Sequence, residues 1–176
     1  MESFEEVLTV GGKSNSLGRA AEVVEAVLKN HARFEELYAC ISAADPWVRM
    51  RAIDSFEKIC RVHPEWAKAY IDVIFQDLIS STQPSIQWHL AQIFAEISLS
   101  NDQKDRAIAW LKSRILTRDV DWIVSVNVMK ALLKFNSDGD VNREELLTLF
   151  RIQEQHASKS VRKKASSFIE KINTDR

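Results

Sequence analysis

Asp45-Pro46-Trp47-Val48-Arg49-Met50-Arg51-Ala52 holds a helix start and the first beat of a repeat. The Asp45 carboxylate can accept from the free backbone N–H groups of a first turn, and Pro46 at the first helical position gives up no hydrogen bond. Val48 then opens a series that returns along the chain. Val48, Ile86, Ile123 and Val161 lie 38, 37 and 38 positions apart, each at the head of a helix-like run. Phe34, Ile71, Ile108 and Leu146 are spaced 37, 37 and 38, and Leu37, Ile74, Leu111 and Leu149 keep those intervals. A stack of paired helices needs such a period, because each pair must offer its neighbour the same apolar face.

The period predicts one all-α domain over residues 1–176, with hairpins at 31–62, 64–99, 100–136 and 140–173 behind an N-terminal cap at 1–30. In the first hairpin, helix A covers His31 to Ala43 and helix B Pro46 to Val62. In the second, A runs from Pro64 to Ser80 and B from Pro84 to Leu99. Ser100-Asn101-Asp102 starts the third A helix, which ends near Thr117, and Asp121 caps a B helix to Phe135. Asn142, with Glu145 three residues on, reads as a capping box for the fourth A helix, and its B helix runs from Ser160 to Ile172. In the cap, Ser16 is expected to start a helix over Leu17–Leu28 with Ala20, Val24, Val27 and Leu28 on one face. A short amphipathic helix is expected around Phe4, Val7 and Leu8. Residues 11 to 16 read as the loose linker.

Composition agrees with helices. Only four glycines and three prolines occur in 176 residues, all at or near the joints between apolar runs. The net charge of −1 supplies no overall field for a polyanion or an anionic membrane. No apolar run reaches the ~18 residues of a membrane span, and the acidic start Met1-Glu2-Ser3-Phe4-Glu5-Glu6 lacks the basic segment of a secretory signal. The expected compartment is the cytoplasm. Cys40 and Cys60 stand among apolar residues and read as small hydrophobes.

Asp45-Pro46-Trp47-Val48-Arg49 through Ala52 resembles the HEAT repeat signature, and Ser160-Val161-Arg162-Lys163-Lys164-Ala165 repeats its core. The resemblance covers residues 31 to 172. The third unit departs from it, with Val124 in place of the arginine and Asn127 in place of the small residue. The resemblance implies a short right-handed α-solenoid of about four helical hairpins, used as a scaffold, adaptor or transport factor.

By analogy with such stacks, positions two, three and six after the first aliphatic residue of each B helix would line a concave surface. The second positions are Met50, Trp88, Ser125 and Lys163; the third are Arg51, His89, Val126 and Lys164; the sixth are Asp54, Gln92, Met129 and Ser167. Met50, Arg51, Trp88, His89, Gln92, Met129, Lys163 and Lys164 are therefore the candidate residues for a protein or peptide partner. Ile86, Leu90, Phe94 and Ile97 are assigned to the core. Trp47 and Trp122, at equivalent repeat positions, are expected to cover the A–B turns. Trp110 is expected to be exposed on the convex side, where a homodimer contact is conceivable.

The sharpest chemical motif, Lys134 to Glu145, places Asn136, Asp138, Gly139, Asn142 and Glu145 at EF-hand ligand spacing. Lys134 stands where the first carboxylate belongs, so a glycine-containing turn with a helix cap is the preferred reading. His31, His63, His89 and His156 are scattered, and no hydrolase, zinc-protease or phosphate-loop motif occurs. No catalytic residue, metal or cofactor is assigned. The alternative is a nucleic-acid-binding protein related to the HEAT-like alkylpurine DNA glycosylases. It would use the local basic patch of Lys159, Arg162, Lys163, Lys164 and Lys171, with Asp121-Trp122 as a faint echo of their site. Near-neutral net charge disfavours it.

Overall fold

Ser3, Asp45, Ser100, Asp121 and Asn142 each accept a hydrogen bond from a backbone N–H in the first turn of a helix. The computed structural model describes residues 2–11 and 16–174, and every regular element among them is helical. In chain order these are α1 (Phe4–Thr9), α2 (Ala20–Lys29), a 3-10 turn (His31–Arg33), α3 (Phe34–Cys40), α4 (Pro46–Val62) and α5 (Pro64–Ala67). A second 3-10 turn (Lys68–Tyr70), α6 (Ile71–Asp77), α7 (Pro84–Glu96), α8 (Asn101–Arg114), α9 (Trp122–Ser137), α10 (Arg143–Gln153) and α11 (Lys159–Thr174) follow. The chain divides into two compact units, Met1–Ala69 and Tyr70–Arg176. No helix among the described residues is long and apolar enough to cross a membrane. The linker expected over 11–16 falls largely on residues 12–15, outside the described residues.

In the first unit α4 packs against α1, α2, α3 and α5. Its apolar face supplies Val48, Ala52, Phe56 and Ile59, all fully buried, and Phe56 stacks on Phe34 at 4.8 Å. Each such side chain contributes roughly 1.5–3 kcal/mol by leaving water. The cap helices are built differently from expectation. Ser16 does not cap α2; its Oγ accepts from Gly18 N–H within a turn, and Gly18 at φ +52° delays the helix to Ala20. A Cβ at Gly18 would stand 2.5 Å from Val10 O, so glycine is required there on two counts. The buried face of α2 is Ala20, Val23 and Val27, while Leu28 is exposed.

The helix expected over Pro64–Ser80 is interrupted. Trp66 stacks on His63 at 4.0 Å and lies 4.3 Å from His31, which fixes α5 in the first unit. The 3-10 turn Lys68–Tyr70 follows, and α6 buries Ile71, Ile74 and Phe75.

In the second unit α9 packs against α7 and α11, α8 against α9, and α10 against both α9 and α11. Ile86, Leu90, Phe94 and Ile97 are buried, as expected for a core row, and Phe75 stacks on Phe94 at 4.9 Å. The Lys134–Glu145 motif is a helix end. Gly139 at φ +84° donates to Asn136 O, and Asp140 N–H donates to Phe135 O, the pair of bonds that closes a helix through a left-handed glycine. Asn142 then caps α10 with one oxygen, accepting from both Glu144 and Glu145 N–H groups. The reciprocal arm of the expected capping box is absent, because the Glu145 carboxylate binds Lys112 Nζ at 2.7 Å.

Candidate functional site

The eight residues of the expected strip meet different fates. Met50 and Arg51 belong to the first unit and the other six to the second. Arg51, His89 and Met129 are buried, at 3%, 1% and 0% exposure, so they line no open surface. Met50, Trp88 and Gln92 are half-buried, and only Lys163 and Lys164 are exposed. The correction has a simple cause in the second unit: α9 is flanked by α7 and α11, and a helix with neighbours on two sides buries more than one stripe. Gln92 accordingly turns inward, its Nε2 donating to Asn127 Oδ1 at 3.3 Å, and Trp88 stacks on His89.

Trp110 is also corrected. It is 7% exposed, donates from Nε1 to Ile79 O at 3.0 Å and meets Phe94 edge-on at 5.7 Å, so it is packed within the second unit and is not the exposed residue expected. Conversely, Trp47 and Trp122, expected to cover turns, are 38% and 52% exposed.

The turns between paired helices are instead held by polar side chains at one repeat position. After Val48, Arg49 Nη1 donates to Ala43 O at 2.8 Å and Ala44 O at 2.9 Å. After Val161, Arg162 Nη1 makes the same pair of bonds to His156 O and Ala157 O, both at 2.7 Å. After Ile86, Gln87 Nε2 reaches Ser81 O at 2.9 Å. Val124, the residue after Ile123, has no donor to offer.

The α8–α9 loop, residues 115–121, is held from the next hairpin. Gln153, fully buried, donates from Nε2 to Ile115 O at 3.0 Å and Thr117 O at 2.7 Å, and its Oε1 accepts from Ser125 Oγ at 2.9 Å. His156 Nε2 donates to Val120 O at 2.7 Å while its Nδ1 accepts from Ser158 N–H at 2.9 Å, a pairing that specifies the Nε2–H tautomer. Asp121 closes the loop by accepting from Ile123 N–H. With its carbonyls tied inward, the loop turns Leu116 outward at 59% exposure and is followed directly by Trp122 at 52%.

Sequence reasoning missed Leu116, Gln153 and His156. One signal was present for Gln153: seven residues after Phe34, Ile71, Ile108 and Leu146 stand Ile41, Leu78, Ile115 and Gln153, a single amide in an aliphatic column.

Burial, with Glu5 and Glu36 adding to it, pushes the Cys40 thiol up to about 11, so the thiolate nucleophile is not formed at neutral pH. In the EF-hand-like segment, Asp138 pairs with Lys134 at 2.8 Å and Asp140 with Lys104 at 2.9 Å, while Asn136 donates to Val141 O. Among the described residues no group of three or more His, Cys, Asp and Glu side chains converges as a metal site. Lys159, Lys163, Lys164 and Lys171 are exposed on α11, and Lys164 Nζ lies 5.1 Å above the Phe168 ring.

Compared with models of known families, with curated proteins and with solved structures, the chain gives no match.

One electrostatic feature belongs to the first unit. The Arg33 guanidinium, 2.7 Å from Glu36, holds the Glu36 carboxyl below its usual value of 4.5 against the opposing effect of desolvation, with the Phe4 N–H adding to it. A lowered carboxyl adds stability that is present above its unfolded value and lost as pH falls through the folded one. Acid titration followed by amide exchange of residues 4–9 is expected to loosen α1 below about pH 4.5, and Glu36→Gln is expected to flatten that response.

Proposed function

We propose that this chain is a non-enzymatic protein-interaction module, a short HEAT-like solenoid of helical hairpins that binds a protein or peptide. The 37–38-residue spacing supports the solenoid reading, as do the matching turn clamps of Arg49 and Arg162 and the packing of α9 between α7 and α11. The contact surface in this reading is the α8–α9 loop, displaced from the row of B-helix residues suggested by the repeat alone.

The observation that carries the proposal is the contrast within that loop. Two buried polar side chains, Gln153 and His156, fix its backbone, yet Leu116 and Trp122 stay in water. A loop ordered in advance loses less entropy on docking, and a tryptophan beside an aliphatic residue is a common composition for the centre of an interface. The partner surface is correspondingly apolar.

The test is a comparison of capture by the immobilised chain and by Leu116→Ala/Trp122→Ala, using extract of the native host. Loss of an interface anchor at about 2 kcal/mol weakens binding roughly 30-fold, so the partner is expected to vanish from the variant while the melting temperature holds within a few degrees. Equal capture by both chains excludes this loop as the contact.

A further inference from the structure

The net charge of −1 conceals an uneven distribution. Residues 70–150 carry eight Lys and Arg against eleven Asp and Glu, whereas residues 151–174 carry six against two. Most cations of the first stretch are neutralised in place: Lys104, Arg106, Lys112, Lys134 and Arg143 each stand 3.4 Å or less from a carboxylate oxygen. Lys159, Lys163, Lys164 and Lys171 of α11 differ. All four are exposed, and among the described residues none of them forms an ion pair. Arg162, between them, is committed to the carbonyls of its turn.

α11 also opens against its own dipole. The first turns of α1, α2, α3, α8 and α10 hold Asp or Glu, which the positive end of a helix favours. The first turn of α11 holds no acidic residue and begins with Lys159. That ammonium gains nothing from the fold, and it adds to the positive potential of the free N–H groups at the helix end.

Helix geometry arranges the face. Ser160, Ser167 and Thr174, seven residues apart, fall on one line along the exposed side, with Lys159 and Lys163 on one flank and Lys164 and Lys171 on the other. Lys159 to Lys171 spans about 18 Å, the axial length of about five phosphates of one DNA strand. Hydroxyls between ammonium groups are side-chain types that contact phosphate oxygens. The apolar side of α11, Val161, Ala165, Phe168 and Ile172, is buried, and the exposed positions carry only Lys, Ser, Glu, Asn and Thr.

We propose that the outer face of α11 docks on the phosphate backbone of duplex nucleic acid, without reading base sequence. A membrane-surface helix needs a free apolar face, and a protein interface needs an apolar or aromatic anchor. A phosphate backbone needs neither. Lysine, a point charge on a flexible stem, suits contacts of no fixed geometry. This face shares no residue with the α8–α9 loop.

The test is fluorescence anisotropy of the full chain with labelled DNA duplexes of two unrelated sequences over a range of salt. Both duplexes are expected to bind alike, and affinity to fall about 100-fold between about 50 and 200 mM salt, as counterion release from four phosphates requires. Lys163→Gln/Lys164→Gln is expected to reduce the log–log salt slope by about 2 with the melting temperature unchanged. Glu170→Gln, which removes the one carboxylate of α11, is expected to tighten binding several-fold. Lys29→Gln, in the first unit, is expected to change nothing. Each of four results overturns the proposal: no binding at the lowest salt, a double variant that keeps the wild-type slope, a strong preference for one sequence, or displacement of the duplex by phosphatidylserine vesicles or poly-glutamate at equal concentration of charge.

Discussion

Arg51→Met is expected to lower the unfolding free energy by about 3–5 kcal/mol. Arg51 is buried on α4, and its guanidinium donates from Nε to Ser16 O at 2.9 Å and from Nη1 to Leu8 O at 2.6 Å, with longer bonds to Thr9 O and Gly11 O. Replacing a buried ion pair by apolar residues is often neutral, because both partners leave together. Here the partners are backbone carbonyls and cannot leave. Methionine keeps the stem volume and removes all the donors, so the cost is that of buried acceptors without donors, on the order of 1–3 kcal/mol each. Urea denaturation reads the total, and amide exchange of α1 and α2 locates it. Gly11→Ala probes the same contact from the other side, since a Cβ there would fall 2.0 Å from the Arg51 guanidinium carbon. A change under about 1 kcal/mol for Arg51→Met is incompatible with this clamp.

The second large effect is expected at Gln153. Gln153→Leu restores the aliphatic column of Ile41, Leu78 and Ile115 and gains roughly 1–2 kcal/mol of apolar burial. It also strips donors from Ile115 O and Thr117 O and an acceptor from Ser125 Oγ, at about 1–3 kcal/mol each. The hydrogen-bond loss is the larger quantity, and a net destabilisation of about 2–3 kcal/mol follows. Its distinguishing mark is local: amide exchange rises over residues 116–121. Gln153→Glu is expected to be worse, because it keeps the acceptor for Ser125 but sets a carboxylate against two carbonyl oxygens. A Gln153→Leu chain that is more stable, with exchange in the loop unchanged, rules out the clamp.

The two departures from the repeat answer one another. Val124 lacks the donor that Arg49, Gln87 and Arg162 supply to their own turns, and the polar exception in the aliphatic column, Gln153, holds the turn that Val124 cannot. Each exception was visible along the chain. Their pairing was not, since 29 residues separate them and only packing brings both to one loop.

Period, caps and glycine placement were legible because they are local: a carboxylate or hydroxyl before an apolar run has few roles other than capping, and 3.6-residue periodicity follows from helix geometry alone. The candidate surface was legible only in part. Counting positions along one helix assumes one buried stripe, and α9, with helices on two sides, buries Ser125 and Met129 as fully as Val128. Arg51 shows the same limit. Its neighbours along α4 mark it as a surface residue, whereas the carbonyls that bury it lie some 35 to 43 residues upstream.

By itself, then, the amino-acid order determined that the chain is helical, where most of its helices start, and which aliphatic side chains form their buried rows. Tertiary structure alone decided which polar groups go inside and which apolar ones stay out. A buried donor is tolerable only where distant carbonyls converge on it, and a tryptophan remains in water only where no neighbouring element arrives to cover it.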